Sequence, residues 1–399
     1  MNLALFLDCW TPMKNGVITS VQQLREGLVR RGHRVVIIAV QMKGNETEDP
    51  DVLLIPQIEM DFGSKQGFGL AIPVRKHLLK FLKKHEVGLI HTHTEFGLGF
   101  AGRWAAKKLG VPRVTTTHTM FEMYSNYSFV LEFKSVWRAY YRHYMRGTSV
   151  IVAPSLKAVK YNELVVPKLP VQVVPNGIDM AKFVQNPLSP AEIVEERKRL
   201  GIAPKDKVVV FVGRLGPEKR VEELLGAVIP VLRRREDVKM LFVGDGPSME
   251  ALKAEALVHE VGSKVIFTGF VDWKVVYHMY SISDLFVTAS LSEVHSMTLI
   301  EAAMCGLPTV ARKDDSNIDL VIDGRNGWLV ESEAELEAKV DELVRDHDEL
   351  ERFGHEAHEV SKLFTAERHV ERMEKLYRRV IETYPDHRYI LHAKDLLDS

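Results

Sequence analysis

The sequence predicts an α/β protein made of two doubly wound parallel-sheet domains, and three of its features carry that expectation. Apolar strand-like runs alternate with helix-like stretches along almost the whole chain. Those runs are near-continuously apolar, the pattern of strands covered on both faces. The rhythm lapses once, at QNPLSP and the charged stretch after it, between Phe183 and Ala203, and then restarts. With 399 residues the chain is too long for one ordinary core and suits two domains of roughly 150–200 residues each.

NLALFLD opens the chain as a buried strand. No basic segment precedes it and Asp8 interrupts the apolar run, so it does not read as a secretory signal. A helix follows from about Ser20 to Arg31, then the strand HRVVIIAV, a helix near Val74–His85 and the strand VGLIHTHT. The series continues with a helix at Phe100–Leu109, the strand PRVTTTHT, a helix at Phe133–Met145 and the strands SVIVAPS and VQVVPNGID. Past the lapse, KVVVFVGRL begins a second sheet. Its alternation runs through Val221–Leu232, VKMLFVGDG, Met249–Glu260, KVIFTGFV, Trp273–Ser281, LFVTAS, Thr298–Cys305, PTVAR and GWLV. After Glu331 the chain is helical and highly charged. The expected domains are residues 1–183, residues 184–375, and a helical segment, 376–399, that crosses back to pack on the first domain.

The composition, 46% hydrophobic, 27% charged and 8% aromatic, is that of a soluble globular protein. No run approaches the about 20 apolar residues a membrane span needs. The two cysteines, Cys9 and Cys305, are far apart and outside any Cys-x-x-Cys pair, which argues against a disulfide framework or a thiolate metal site and suits a reducing cytoplasm. Net charge is −1, yet residues 1–180 hold 23 Lys and Arg against 14 Asp and Glu, and residues 181–399 hold 30 against 40. A basic front half attracts phosphate-rich surfaces, although segregation of solvated charges would give the same count.

Two segments carry chemistry. In FVGRLGPEKRVEELL, Gly213, Arg214, Gly216 and Lys219 fall just past a strand and before a helix, the place where open α/β sheets bind ligands, and two cations there suit a diphosphate. A solvated turn with two surface charges fits those residues equally well. In SLSEVHSMTLIEAAMCGLP, Glu293 follows a strand and Glu301 lies about one turn into the next helix, so both can face one crevice and accept sugar and ribose hydroxyls. Backbone N–H groups near Ser296, Met297 and Thr298, at that helix start, form a second anion site.

Taken in order, GRLGPEK, VGDGP, FTGFV, the Glu293/Glu301 pair and VIDGRNGWLV resemble the C-terminal domain of glycosyltransferase family four. The resemblance implies the GT-B fold, two Rossmann-like domains facing a central cleft, and retaining, metal-independent sugar transfer without a cofactor. TPMKNGVITSVQQLREGLVRRGHRVVII resembles the family's glycine-containing first loop. That loop is a Gly-Gly pair in the family and Asn15-Gly16 here, a mild departure because Asn tolerates left-handed backbone. LIHTHTEFGLG and TTTHTMFEMY resemble most closely the members that glucosylate diacylglycerol or related membrane lipids. By this resemblance Arg214 and Lys219 hold the diphosphate, Glu293 the hexose hydroxyls and Glu301 the ribose. Gly16, Ser296, Met297 and Thr298 complete the donor site, and His118 lies beside the sugar as a catalytic residue with Glu293, Arg214 and Lys219. The family commonly has Phe-Gly or Gln-Gly where this chain has His295-Ser296, a departure that bears on the donor sugar. The implied reaction moves glucose from a UDP-sugar to a membrane lipid.

In FKSVWRAYYRHYMR the aromatic residues Phe133, Trp137, Tyr140, Tyr141 and Tyr144 recur with Val136 at helical spacing beside a stripe of Lys134, Arg138, Arg142 and Arg146, the composition of an interfacial helix. VRKHLLKFLKKH sets Arg75, Lys76, Lys80, Lys83 and Lys84 beside Leu78, Leu79 and Leu82. The expectation is peripheral docking, on the inner face of the plasma membrane, through Lys80, Lys83, Lys84, Lys134, Trp137, Arg138 and Arg142. Both stretches also fit ordinary surface helices covering the sheet. No nucleic-acid module is recognisable, and His91, His93 and His118, without a carboxylate cluster, read as structural and not as metal ligands. A soluble acceptor, or 2-epimerisation of a sugar nucleotide on the same fold, is the alternative reading.

Overall fold

In the computed structural model the described residues are 1–11, 13, 16–59, 69–120 and 134–385. The chain divides into two compact units, Met1–Gly177 together with the chain from Ala366 on, and Ile178–Thr365. The first unit runs β1 (Asn2–Leu7), α1 (Gly16–Arg30), β2 (Arg34–Val40), β3 (Val52–Ile55), β4 (Gln57–Glu59), β5 (Gly69–Ala71), α2 (Arg75–Lys84), β6 (Leu89–Thr92), α3 (Gly97–Leu109), β7 (Arg113–Thr116), α4 (Lys134–Met145), β8 (Val150–Ala153), α5 (Leu156–Val165) and β9 (Val171–Val173). Its main sheet has the order β3-β2-β1-β6-β7-β8-β9, every neighbouring pair parallel. The second unit runs α6 (Met180–Phe183), α7 (Pro190–Arg199), β10 (Lys207–Val212), α8 (Val221–Arg234), β11 (Val238–Val243), α9 (Met249–Val258), β12 (Val265–Phe267), α10 (Tyr277–Ser281), β13 (Leu285–Thr288), α11 (Met297–Met304), β14 (Thr309–Arg312), β15 (Gly327–Val330), α12 (Glu333–Arg345) and α13 (His347–Ser361). Its sheet is also all parallel, in the order β12-β11-β10-β13-β14-β15.

Burial on both faces explains the near-continuous apolar strands. Along β1, Leu3, Leu5 and Leu7 enter one core with α1, while Ala4 and Phe6 enter another with α2 and α3. Along β10, Val209 and Phe211 face α8 and α12, and Val208, Val210 and Val212 face the opposite core. A strand that alternates between two cores has no polar face to offer water.

The last helix, α14 (Ala366–Thr383), covers the first sheet. Its Val370, Met373, Leu376, Tyr377 and Val380 join the Leu3, Leu5 and Leu7 core. The approach to α1 requires Gly27, since a Cβ there would lie 2.4 Å from Val370 Cγ2. The division at Gly177/Ile178 and Thr365/Ala366 differs from the expected 183/184 and 375/376. Ile178 and Phe183 are buried in the second unit's core, Ile178 bridges to Thr365, and α14 as a whole serves the first unit. Residues 386–399 of the expected crossing segment lie outside the described residues.

Candidate active site

In the second unit the strand order reverses between β10 and β13, which sets the loops after these two strands side by side at the carboxyl edge of the sheet. Ligands of open α/β sheets bind at such a switch point. The loop after β10 leads into a single 3-10 turn, Pro217–Lys219. It is braced by backbone bonds: Gly213 N–H donates to the Val243 carbonyl at 2.9 Å, Leu215 N–H to Asp245 at 3.0 Å, and Ser248 N–H to Leu215 at 2.9 Å. So close an approach explains the VGDGP segment. A Cβ on Gly244 would lie 1.9 Å from the Gly213 carbonyl oxygen, and one on Gly246 2.3 Å from that of Leu215.

Lys219 and Glu293 meet across the switch point. The Lys219 ammonium donates to Glu293 Oε1 in a close, partly buried ion pair. Glu293 also accepts from Ser290 Oγ at 3.4 Å. Arg214 is more than half exposed and pairs with Glu218 at 3.4 Å.

Glu301 lies deeper. Its side chain is buried, with Oε1 accepting from Trp273 Nε1 at 3.1 Å and Oε2 from the Tyr280 hydroxyl at 2.8 Å. Burial pushes this carboxyl up to about 7, against the pull of those two donors. Trp273 and Tyr280 were not singled out from sequence. They stand 28 and 21 residues from Glu301, and no local spacing signals the contact. At the start of α11, Ser296 Oγ accepts from Leu299 N–H at 3.3 Å and caps the helix. The N–H groups of Met297 and Thr298 fall in the first turn, where the helix itself offers no acceptor. The His295 ring is fully buried, bonds Asp319 at 3.2 Å and packs on Phe364 with centroids 5.7 Å apart. The departure from the family's aromatic-or-glutamine pattern is thus turned inward.

In the first unit the reversal falls between β1 and β6. Asp8, just past β1, accepts from Thr94 Oγ1 at 2.6 Å and Leu98 N–H at 2.7 Å, so it caps α3. Glu95 beside it is buried, and burial, reinforced by the Asp8 charge against its own backbone N–H, pushes its carboxyl up to about 8. Gly16 opens α1 and is exposed, while Asn15, its partner in the expected loop, lies outside the described residues. His118, just past β7, is half-buried, and its Nε2 lies 2.9 Å from His93 Nδ1. Burial and then the charge of His369 hold His118 down to about 3. Both ring nitrogens of His91 are engaged, by the Tyr377 hydroxyl at 2.6 Å and Thr116 Oγ1 at 2.7 Å.

The basic stretches are surface helices with apolar undersides. On α2, Leu78 and Leu82 are buried while Lys80, Lys83 and Lys84 are exposed. On α4, Lys134 and Arg142 are exposed, Trp137 and Arg138 are half-buried, and Arg142 Nε donates to the Val165 carbonyl at 2.8 Å. Tyr141 and Tyr144, spaced with Trp137 along α4, are buried, as the alternative of a helix covering the sheet has it. Tyr141 donates to Asn162 Oδ1 and Tyr144 to the Thr94 carbonyl, each at 2.9 Å. Phe133 lies outside the described residues. Among the described residues no helix is long and apolar enough to cross a membrane.

Two parallel Rossmann-like sheets, each with a switch point, are the architecture of the GT-B glycosyltransferases. Residues 14–182 match the family model described as Glycosyltransferase Family 4, and residues 192–360 the one described as Glycosyl transferases group 1. An alpha-monoglucosyldiacylglycerol synthase of Streptococcus pneumoniae is 30% identical over 353 residues, 86% of this chain and 78% of that one. A GDP-mannose-dependent alpha-mannosyltransferase of Mycolicibacterium smegmatis is 28% identical over 363 residues, 89% of this chain and 91% of that one. Among solved structures, a sucrose-phosphate synthase of Thermosynechococcus elongatus shares the fold with a TM-score of 0.76 at 21% identity, over 96% of this chain and 99% of that one. The chain belongs to glycosyltransferase family 4, and it is an enzyme of glycosyl transfer.

Proposed function

We propose that the chain transfers glucose from UDP-glucose to a membrane lipid acceptor such as diacylglycerol, with retention at the anomeric carbon and without a metal. The observation that carries this reading is the Lys219–Glu293 pair at the switch point of the second sheet, a cation and a hydroxyl acceptor side by side where a diphosphate-linked sugar would rest. Lys219 and Arg214 neutralise the departing diphosphate, Glu293 accepts from hexose hydroxyls, and Glu301 accepts from ribose hydroxyls. The first-turn N–H groups at Ser296, Met297 and Thr298 bind a phosphate oxygen, and Gly16 lets backbone approach the donor. His118 takes part in transfer from the first unit. In the reaction the bond from the anomeric carbon to the diphosphate oxygen breaks as the acceptor oxygen bonds to the same face, and the acceptor proton passes to the departing phosphate. Fixed cations stabilise the charge that develops on that leaving group.

The lipid acceptor is supported by the likeness to the streptococcal synthase and by the exposed lysines of α2, which suit an anionic surface. The test is a donor-by-acceptor screen. UDP-glucose and GDP-mannose are each supplied with vesicles of diacylglycerol and anionic phospholipid, or with glycerol in solution, and released nucleotide and products are measured. An α-glucosyl lipid formed from UDP-glucose on vesicles is expected. Product on glycerol alone would overturn the lipid acceptor, a mannosyl product the donor, and an isomerised donor without acceptor the transfer itself.

A further inference from the structure

His93 makes a contact that the reaction scheme does not use. It follows β6, is 2% exposed, and is anchored by its backbone N–H donating to the Phe6 carbonyl at 2.9 Å. Strands β6 and β7 are parallel neighbours, with Thr92 opposite Thr115, so the residues just past their ends, His93 and His118, come together. The 2.9 Å contact between His93 Nδ1 and His118 Nε2 joins two imidazoles, and it needs one N–H and one lone pair.

The other nitrogen of His93 decides which ring donates. His93 Nε2 is buried and has no hydrogen-bond partner. If His118 donated, the His93 proton would sit on Nε2 as a buried N–H with no acceptor, the costlier and rarer kind of orphan. If His93 donates from Nδ1, its Nε2 is a bare lone pair and no proton is stranded. His118 then carries its proton on Nδ1, and among the described residues that atom makes no hydrogen bond within the chain.

We infer that His93 is a positioning residue that donates from Nδ1 to His118 Nε2, fixing the His118 ring and leaving its Nδ1–H as a hydrogen-bond donor to the substrate. The inference rests on the catalytic part proposed for His118, and it makes that part donation and not proton abstraction at Nε2. The surrounding groups keep the pair uncharged. His91 on β6 lies with its ring centroid 3.9 Å from that of His93, and His369 and Tyr377 face the cluster from α14. Burial first, and then mutual repulsion with His91, His118 and His369, holds His93 well below the usual histidine range.

Two measurements test it. In protein labelled with nitrogen-15 at histidine, long-range proton–nitrogen correlation spectra report the tautomer of His118, assigned by its loss in His118→Gln. A protonated Nδ1 is expected, and a protonated Nε2 overturns the inference. The second compares His93→Asn, which can still donate, with His93→Asp, which can only accept. His93→Asn should retain most of kcat. His93→Asp should move the His118 proton to Nε2 and lower kcat by about tenfold or more with little change in donor KM. Equal activity in both variants, with equal thermal unfolding, overturns it. Full activity in His118→Gln would remove the proposed part of His118 and leave the tautomer result standing, so the two failures are separable.

Discussion

Replacing Glu301 by Gln isolates the strain of a buried carboxyl whose two oxygens are already taken by Trp273 and Tyr280. Its pKa rises from an ordinary 4.5 to about 7 on folding. Below the ordinary value both the unfolded and native carboxyls are protonated. As pH climbs past it, the unfolded chain ionises while the native carboxyl keeps its proton, so native stability falls until that group also ionises near 7. The shift corresponds to about 3 kcal/mol in full, of which about 2–3 kcal/mol accrues between about pH 5 and about pH 8. Gln keeps the Trp273 bond and can donate to the Tyr280 oxygen, so it removes the titration without emptying the pocket.

The assay is thermal unfolding of both proteins across that range. Glu301→Gln should gain on the wild type as pH rises, by about 5–10 °C in Tm for a unit of this size. Comparison with the variant cancels every other titrating group. Nucleotide binding supplies the opposite sign. If ribose hydroxyls donate to the ionised carboxylate, UDP affinity in the wild type should climb relative to the variant as pH passes about 7. A Tm difference that stays flat with pH would refute the reasoning about burial, and a flat affinity ratio would refute the ribose assignment.

Other outcomes follow from the same geometry. Lys219→Ala should lower kcat about 100-fold or more, and Arg214→Ala should cost less because its guanidinium is more than half exposed. Steady-state kinetics with unchanged unfolding curves check both, and near-normal rates would remove the diphosphate assignment. Gly244→Ala should destabilise the second unit by more than about 2 kcal/mol, since its Cβ would fall 1.9 Å from the Gly213 oxygen at a φ of +139°. Denaturant titration reads the loss. Changing Lys80, Lys83 and Lys84 together to Ser should weaken binding to anionic vesicles by roughly 100-fold, at about 1 kcal/mol per lysine, while leaving activity on detergent-dispersed acceptor. Co-sedimentation that does not change would place the membrane face elsewhere.

The strands were legible because each is buried on two sides, as Leu3 to Leu7 and Val208 to Val212 are, and an unbroken apolar run is the local mark of that. The glycines of VGDGP were legible as a motif, but their cause, the Gly213–Leu215 turn pressed against them, was not. The compact units divide earlier than the expected 183/184 because Ile178, at the end of an apolar run, pairs with Phe364 and Thr365, which come much later without any local sign. The face of α4 was open for a different reason. Helical spacing of Tyr141 and Tyr144 is the same whether the rings meet lipid or a sheet, and only the hydroxyl partners Asn162 and Thr94 decide it. Burial of Glu301, its donors, and the His93–His118 contact are likewise non-local, so a spacing rule could nominate the carboxylate and the histidine without describing their protonation.

The pairing of charges bears on what the second unit can accept. Arg214 stands with Glu218 and Lys219 with Glu293, so each cation is held near a carboxylate before any ligand arrives. That arrangement holds the ammonium in place. On the proposed reading, an incoming diphosphate would replace a carboxylate as the partner of Lys219. Glu293 then needs new donors, because a partly buried carboxylate that loses its cation pays desolvation without compensation. The hydroxyls of a neutral hexose supply such donors. A sugar bearing its own carboxylate at the same place would set two negative groups together, at a cost that the single ammonium, already committed to phosphate, could not offset. On the proposed reading, a uronic-acid donor should therefore bind far more weakly than its hexose counterpart in competition against UDP-glucose.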